Sequence, residues 1–342
     1  MAPPLARTPG DARPRRTARL RRGLLAALVT AAVALPVAGA AGPAEVPAPS
    51  PPPTTPLTAG TPAELTARLD ARYADRRAAL RAAEQTADAY GAHRRAAALH
   101  AMAQPGRRIL AFDGRDGGRS AEVVGDLARA DRIAVLVPGV DTGLEHYARF
   151  RAGALALQDT LREDTGGDRT AVVAWLGYRT PATASAASLT PGRAEEAAPA
   201  LTASVAELHR IRPAARITLL CHSYGSVVCA RAAAGTPAAA IVLYGSPGTG
   251  HDDVAALHTR ATVWAGRATD DWVARVPHVR ISLPSLARCG SELGFGADPA
   301  DPAFGARRFA AGDGGHSDYL VPGSVPLRNL ARIVEGEEPA DA

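Results

Sequence analysis

The stretch RITLLCHSYGSVVCA, Arg216 to Ala230, decides the fold. It opens as an apolar run closed by Cys221, the pattern of a strand buried on both faces. Ser226 to Ala230 then begin a helix. Between them stand His222, Ser223, Tyr224 and Gly225. A strand, a tight turn and a helix in this order set the serine on a strained bend and push its hydroxyl above the sheet. The backbones pass so closely there that the positions two before and two after must be small. Gly225 meets that demand, and Cys221 stands where Gly is usual. The bare spacing is weak, and the competing reading is an ordinary helix-capping serine after a strand. The context favours a nucleophile.

Working outward, the same kind of apolar run recurs at Arg108–Asp113, Arg132–Val137, Thr170–Leu176, Ala239–Tyr244 and Thr262–Ala265. Helical patterns separate the runs, at 143–164, at 192–211, after Gly225 and at about 324–334. Buried strands alternating with helices predict an α/β fold with a mostly parallel central sheet covered on both faces, over 108–335. Chemistry in such sheets gathers at the carboxyl ends of the strands. Residues 61–107 read as a helical lead-in. Thr61-Pro62-Ala63-Glu64 is a capping box with Pro in the first turn, and Gly91 breaks the helix. Residues 41–60 are dense in Pro, Ala and Thr and read as an extended linker. Residues 336–342 form a tail.

A serine needs a base, and the base needs an orienting acid. An acid is expected just past the Thr262 strand, where Asp270 and Asp271 are adjacent. Asp270 is preferred for its D-x-x-V spacing; Asp252 and Asp253 are the outside alternative. The last histidine, His316, follows two glycines and precedes the C-terminal helix, which suits the base. His251, His258 and His278 compete with it. His222 is expected to support the turn or the pocket. The oxyanion donors are expected to be the amides of Tyr224 and, in the loop after Val137, of Val140. Trp175, Tyr178 and Thr180 are expected to line or support the site. The long irregular segment 282–315 reads as a flap over the pocket.

Several motifs occur in one order: VLVPGV (135–140), AWLGYRTP (174–181), CHSYGS (221–226), GFGADP (294–299), FGARRF (304–309) and GHSDYL (315–320). Together they resemble the actinobacterial α/β-hydrolases of the DUF1023 type, over about residues 61–335. The resemblance implies the α/β-hydrolase fold and supports Ser223, Asp270 and His316 as a catalytic triad. It implies no substrate.

The full chain has 342 residues and a net charge of +5, and all 39 of its basic residues are Arg. Residues 1–22 hold seven Arg and one Asp, or +6. Leu24–Val37 then forms an uncharged apolar run ending before Ala38-Gly39-Ala40. This is a secretory signal pattern with cleavage after Ala40. An uncleaved anchor is the lesser reading, since a span needs about 20 residues. Cleavage removes +6 from +5 and leaves −1, so no nucleic-acid partner is expected. The expected protein is a secreted or cell-wall-associated monomeric serine esterase, acting on a small or lipid-like ester with no cofactor, no metal and no membrane span after cleavage. An amidase, peptidase or acyltransferase with the same triad, or a non-catalytic binding protein on the fold, is the alternative. Cys221, Cys229 and Cys289 allow one disulfide after export. Either of the first two can pair with Cys289, or they can pair with each other.

Overall fold

The computed structural model describes residues 45–165, 169–282 and 292–340. The expected signal peptide, residues 1–40, lies outside them. Residues 46–342 form one unit. Its centre is an eight-stranded sheet in the order β1-β2-β4-β3-β5-β6-β7-β10. The strands are β1 (Arg108–Asp113), β2 (Arg119–Gly125), β3 (Arg132–Val137), β4 (Thr170–Leu176), β5 (Arg216–His222), β6 (Ala240–Tyr244), β7 (Thr262–Gly266) and β10 (Arg307–Arg308). A separate short pair joins β8 (Ile281–Ser282) to β9 (Glu292–Leu293). Within the large sheet the strands from β4 through β3 to β10 pair in parallel, and the β1–β2 and β2–β4 pairs are antiparallel, as is the separate β8–β9 pair.

The apolar runs are continuous because alternate residues feed two cores. Ile133, Val135 and Val137 of β3 enter one core, and Ala134 and Leu136 enter the other. In the first core lie α4 (Gly192–Ile211), through Leu201 and Val205, and α5 (Gly225–Ala232), through Val227 and Val228. In the second lie α3 (Tyr147–Thr165), through Leu157 and Leu161, and α6 (Val325–Glu335), through Leu327 and Leu330. Helix α1 (Pro62–Ala89) begins on the expected capping box: Thr61 accepts from the Glu64 amide, and Glu64 accepts from the Thr61 amide. Leu65, Leu69 and Tyr73 join the first core, while Leu80, Ala83 and Ala87 join the second. The helix therefore runs past the sheet edge at β1 and covers a strand that would otherwise offer unpaired backbone groups. Helix α2 (His93–Met102) follows the break at Gly91.

Three expectations change here. Residues 46–60 carry no secondary structure, as a Pro-rich segment should, but they are not a free linker. Leu57 is buried in the first core, Arg76 donates to Pro52 O and Thr54 Oγ1, and Arg72 donates to Thr55 O. Strand β2 was not expected. Its Glu122 is buried against Arg107 and Arg151, which breaks the apolar pattern that marks the other strands. The described part of the presumed flap, 292–315, is built into the domain: Phe295, Phe304 and Phe309 are buried, and β10 extends the sheet. Residues 283–291 of that segment, including Cys289, lie outside the described residues.

Candidate active site

Ser223 sits between β5 and α5 with φ +53°, the left-handed region that disfavours a side chain. Two close approaches hold it there. A Cβ on Gly225 would lie 2.6 Å from Val137 O and 2.8 Å from Pro138 O, so only glycine fits. A Cβ on Gly139 would lie 2.7 Å from Ser223 Cβ, so the loop after β3 passes directly over the serine. The Ser223 amide donates to Tyr244 O at 3.0 Å and ties the turn to β6. Cys221 and Cys229 form a disulfide. The bridge joins the end of β5 to the second turn of α5 and straddles the turn that carries Ser223.

His316 Nδ1 lies 2.9 Å from Asp271 Oδ1 and 3.1 Å from Oδ2. The partner is Asp271 and not Asp270, which corrects the sequence expectation. Asp270 is exposed, whereas Asp271 is buried and caps the short 3₁₀ turn Trp272–Arg275 by accepting from the Val273 amide at 2.8 Å. Capping turns the Asp271 side chain back toward the sheet. Its Oδ2 also accepts from Tyr319 OH at 2.6 Å, and that hydroxyl accepts from the Ala268 amide at 3.1 Å. Burial alone would raise the Asp271 carboxyl; hydrogen bonds from His316, Tyr319 and Val273 outweigh it and hold the group below the usual carboxylate range. A carboxylate only accepts, so Nδ1 carries the imidazole proton. His316 Nε2 is then the lone-pair nitrogen. It is buried and has no hydrogen-bond partner among the described residues, Ser223 Oγ included. Such bonds are often long before substrate arrives.

His222, expected to support the turn or the pocket, packs instead against His316. Its Nε2 lies 2.7 Å from His316 O, so it donates there. Its ring meets those of His316, Tyr244 and Tyr319 at 4.7, 5.1 and 5.7 Å. Burial foremost, and then the neighbouring His316, push its pKa down to about 3. Trp272 stands at 4.8 Å from the His316 ring. Tyr319 and Trp272 were missed in the sequence. The legible signal for Trp272 was its place inside an Asp-x-Val cap; Tyr319 lies within the GHSDYL stretch, but nothing local marks its hydroxyl as a partner of Asp271.

The two expected oxyanion donors lie in different segments: Tyr224 follows Ser223, and Val140 follows Gly139 in the loop that passes close to it. Neither the Val140 nor the Tyr224 amide donates to another group among the described residues. The Val140 loop is anchored at several points. Tyr178 OH donates to Pro138 O at 2.7 Å, Thr142 Oγ1 to Val140 O at 3.3 Å and Thr180 Oγ1 to Thr142 O at 2.7 Å. Asp141, at φ +55°, donates its amide to Pro181 O and accepts from the Thr183 amide and hydroxyl. Tyr178 thus supports the site but does not line it: it is buried, stacked between Trp175 and Tyr224. Trp175 is a core residue, 2% exposed, with Nε1 donating to Ser204 Oγ. Its inward position follows from alternation along β4, where it falls on the face toward α4. None of the competing histidines, His251, His258 and His278, bonds Asp271 among the described residues; His278 faces Asp298, and the backbone of His251 bridges to Gly296. Asp252 pairs with Arg280, and Asp253 caps a short turn. Among the described residues no group of three or more His, Cys, Asp or Glu could hold a metal ion.

Residues 113–281 match the model of a family described as alpha/beta hydrolase. An uncharacterized protein of Mycobacterium tuberculosis, Rv2079, is 31% identical over 252 residues, which cover 66% of this chain and 38% of that protein. A second from the same organism, Rv0963c, is 31% identical over 166 residues, covering 43% of this chain and 60% of that one. The chain thus spans well under half the length of the first relative. Among solved structures, XC6422 from Xanthomonas campestris, described as an a/b serine hydrolase without lid, aligns at 18% identity with a TM-score of 0.41. It covers 68% of this chain and 94% of its own.

Proposed function

Taking the α/β-hydrolase fold of this chain as the premise, we propose that it is a secreted serine hydrolase that cleaves carboxylic esters through an acyl-enzyme. The observation that carries this reading is the His316–Asp271 pair, with its Nε2 unpaired, together with a serine held at positive φ on a strand–helix turn whose neighbouring residue, His222, meets His316 at 2.7 Å. Ser223 Oγ attacks the ester carbonyl carbon as His316 Nε2 takes its proton. Asp271 keeps the proton on Nδ1 and stabilises the imidazolium that forms. The Val140 and Tyr224 amides hold the oxyanion, each worth roughly 10²–10³ in turnover. The carbonyl re-forms, the bond to the leaving oxygen breaks, and His316 returns the proton to that oxygen. Water then attacks the acyl carbon as the same nitrogen takes its proton; the bond to Ser223 Oγ breaks, and His316 returns the proton to that oxygen as the acid leaves.

Export is supported by the basic and apolar pattern of residues 1–40 and by the disulfide, which persists in an oxidising compartment. Among the described residues no helix is long and apolar enough to cross a membrane.

The test is labelling with a fluorophosphonate, which esterifies an activated serine. Wild type should label at Ser223, and Ser223→Ala and His316→Ala should not. Equal labelling of Ser223→Ala, or no labelling of the wild type, overturns the proposal.

A further inference from the structure

Of the three tryptophans, Trp175 and Trp264 are buried, while Trp272 is 47% exposed. One exposed apolar residue needs no explanation by itself; the place of this one does. It is the first residue of the 3₁₀ turn that Asp271 caps, so its backbone is fixed to the acid that orients His316. Its ring stands 4.8 Å from the imidazole at an interplanar angle of 52°. The other ring on the imidazole is that of His222, and Tyr244 and Tyr319, both buried, pack in turn on His222 and on each other. Trp272 therefore puts a large apolar surface, open to solvent, beside the base.

We infer that Trp272 is a specificity-determining residue that receives an aromatic or bulky apolar leaving group. The inference rests on the proposed hydrolase chemistry. An ester's two halves occupy different places around Ser223. The acyl carbon is bonded to Ser223 Oγ, and its oxygen faces the Val140 and Tyr224 amides. The leaving oxygen must face His316 Nε2, because that nitrogen hands it the proton as its bond to the acyl carbon breaks. A ring in contact with the imidazole is thus on the side of the leaving group and away from the acyl chain. Ring on ring in offset or tilted geometry adds to the burial gain, and truncating such a contact costs up to about tenfold.

The test varies one half of the ester at a time. For phenyl acetate against methyl acetate, the ratio of kcat/KM should fall about tenfold in Trp272→Ala. Trp272→Phe should restore most of it. For methyl esters of increasing acyl length, the relative preferences should stay those of the wild type. A uniform fall for all esters would overturn the inference, since the ring would then act on the imidazolium or on folding. A changed acyl-length preference would also overturn it.

A second measurement needs no turnover. In Ser223→Ala, 4-nitrophenol should quench tryptophan emission saturably, because the other two indoles are buried; absence of saturation counts against the site. Wild type that neither labels nor hydrolyses any ester, yet binds the phenol saturably, overturns the hydrolase reading and leaves the aromatic site standing.

Discussion

Asp270 and Asp271 are adjacent carboxylates in one turn, yet only one is buried and accepts from His316, Tyr319 and the Val273 amide. The other is exposed. Asp271→Asn should therefore cut kcat by about 10⁴-fold, since the amide no longer enforces the Nδ1–H tautomer. Asp270→Asn should stay within a few-fold of wild type. Steady-state kinetics on one ester checks both, and equal losses would reject the assignment of the acid. Local spacing could not separate the two residues. The choice depends on which carboxylate the cap at Val273 turns inward, and on a tyrosine 48 residues away that meets it there.

At the scale of elements, the β5–α5 turn is held by close packing and by a covalent tie. Gly225 and Gly139 remove the side chains that would collide with neighbouring backbone or with Ser223 itself. Cys221 occupies a position where a small residue is required, and the thiol is used to reach Cys229 across the turn. The strand and the helix were legible as elements because each has a continuous apolar face. The pairing was not, because three cysteines permit three bridges and only the approach of α5 to β5 selects one. A bridge closing so short a loop is worth about 2–3 kcal/mol in the chain-entropy view. Cys229→Ser should lower the urea midpoint by the equivalent of that amount, and a reductant should do the same to wild type. An unchanged midpoint in both would show that packing alone holds the turn.

For the whole molecule, the acid side of the stability curve should carry the mark of His222. In the unfolded chain it binds a proton below about 6.5; in the fold, burial beside His316 delays this to about 3. Between those values the unfolded state binds more protons, so stability falls as pH falls from about 6.5 toward 3. The depressed carboxyl of Asp271 acts further down, its stabilisation being present above about 3.9 and lost below. Urea unfolding of wild type between pH 7 and 4 should show this loss. His222→Gln, which keeps a donor for His316 O, should flatten the slope. A variant as steep as wild type would place the acid sensitivity elsewhere.

By itself, the sequence determined the order of the main strands and helices, the turn that carries Ser223, the choice of His316 as the candidate base and the capped start of α1. Each of these is written in a short window: an apolar run, a glycine at a forced position, a capping box. Tertiary structure decided what depends on residues far apart in the chain. It chose Asp271 over Asp270, paired Cys221 with Cys229, sent Trp175 and Tyr178 into the core, and drew residues 46–57 onto the domain. It also stood Trp272 beside His316. Periodicity tells which side chains leave water, but not which of them meet; that follows only when β5, β7 and the loop before α6 converge at one end of the sheet.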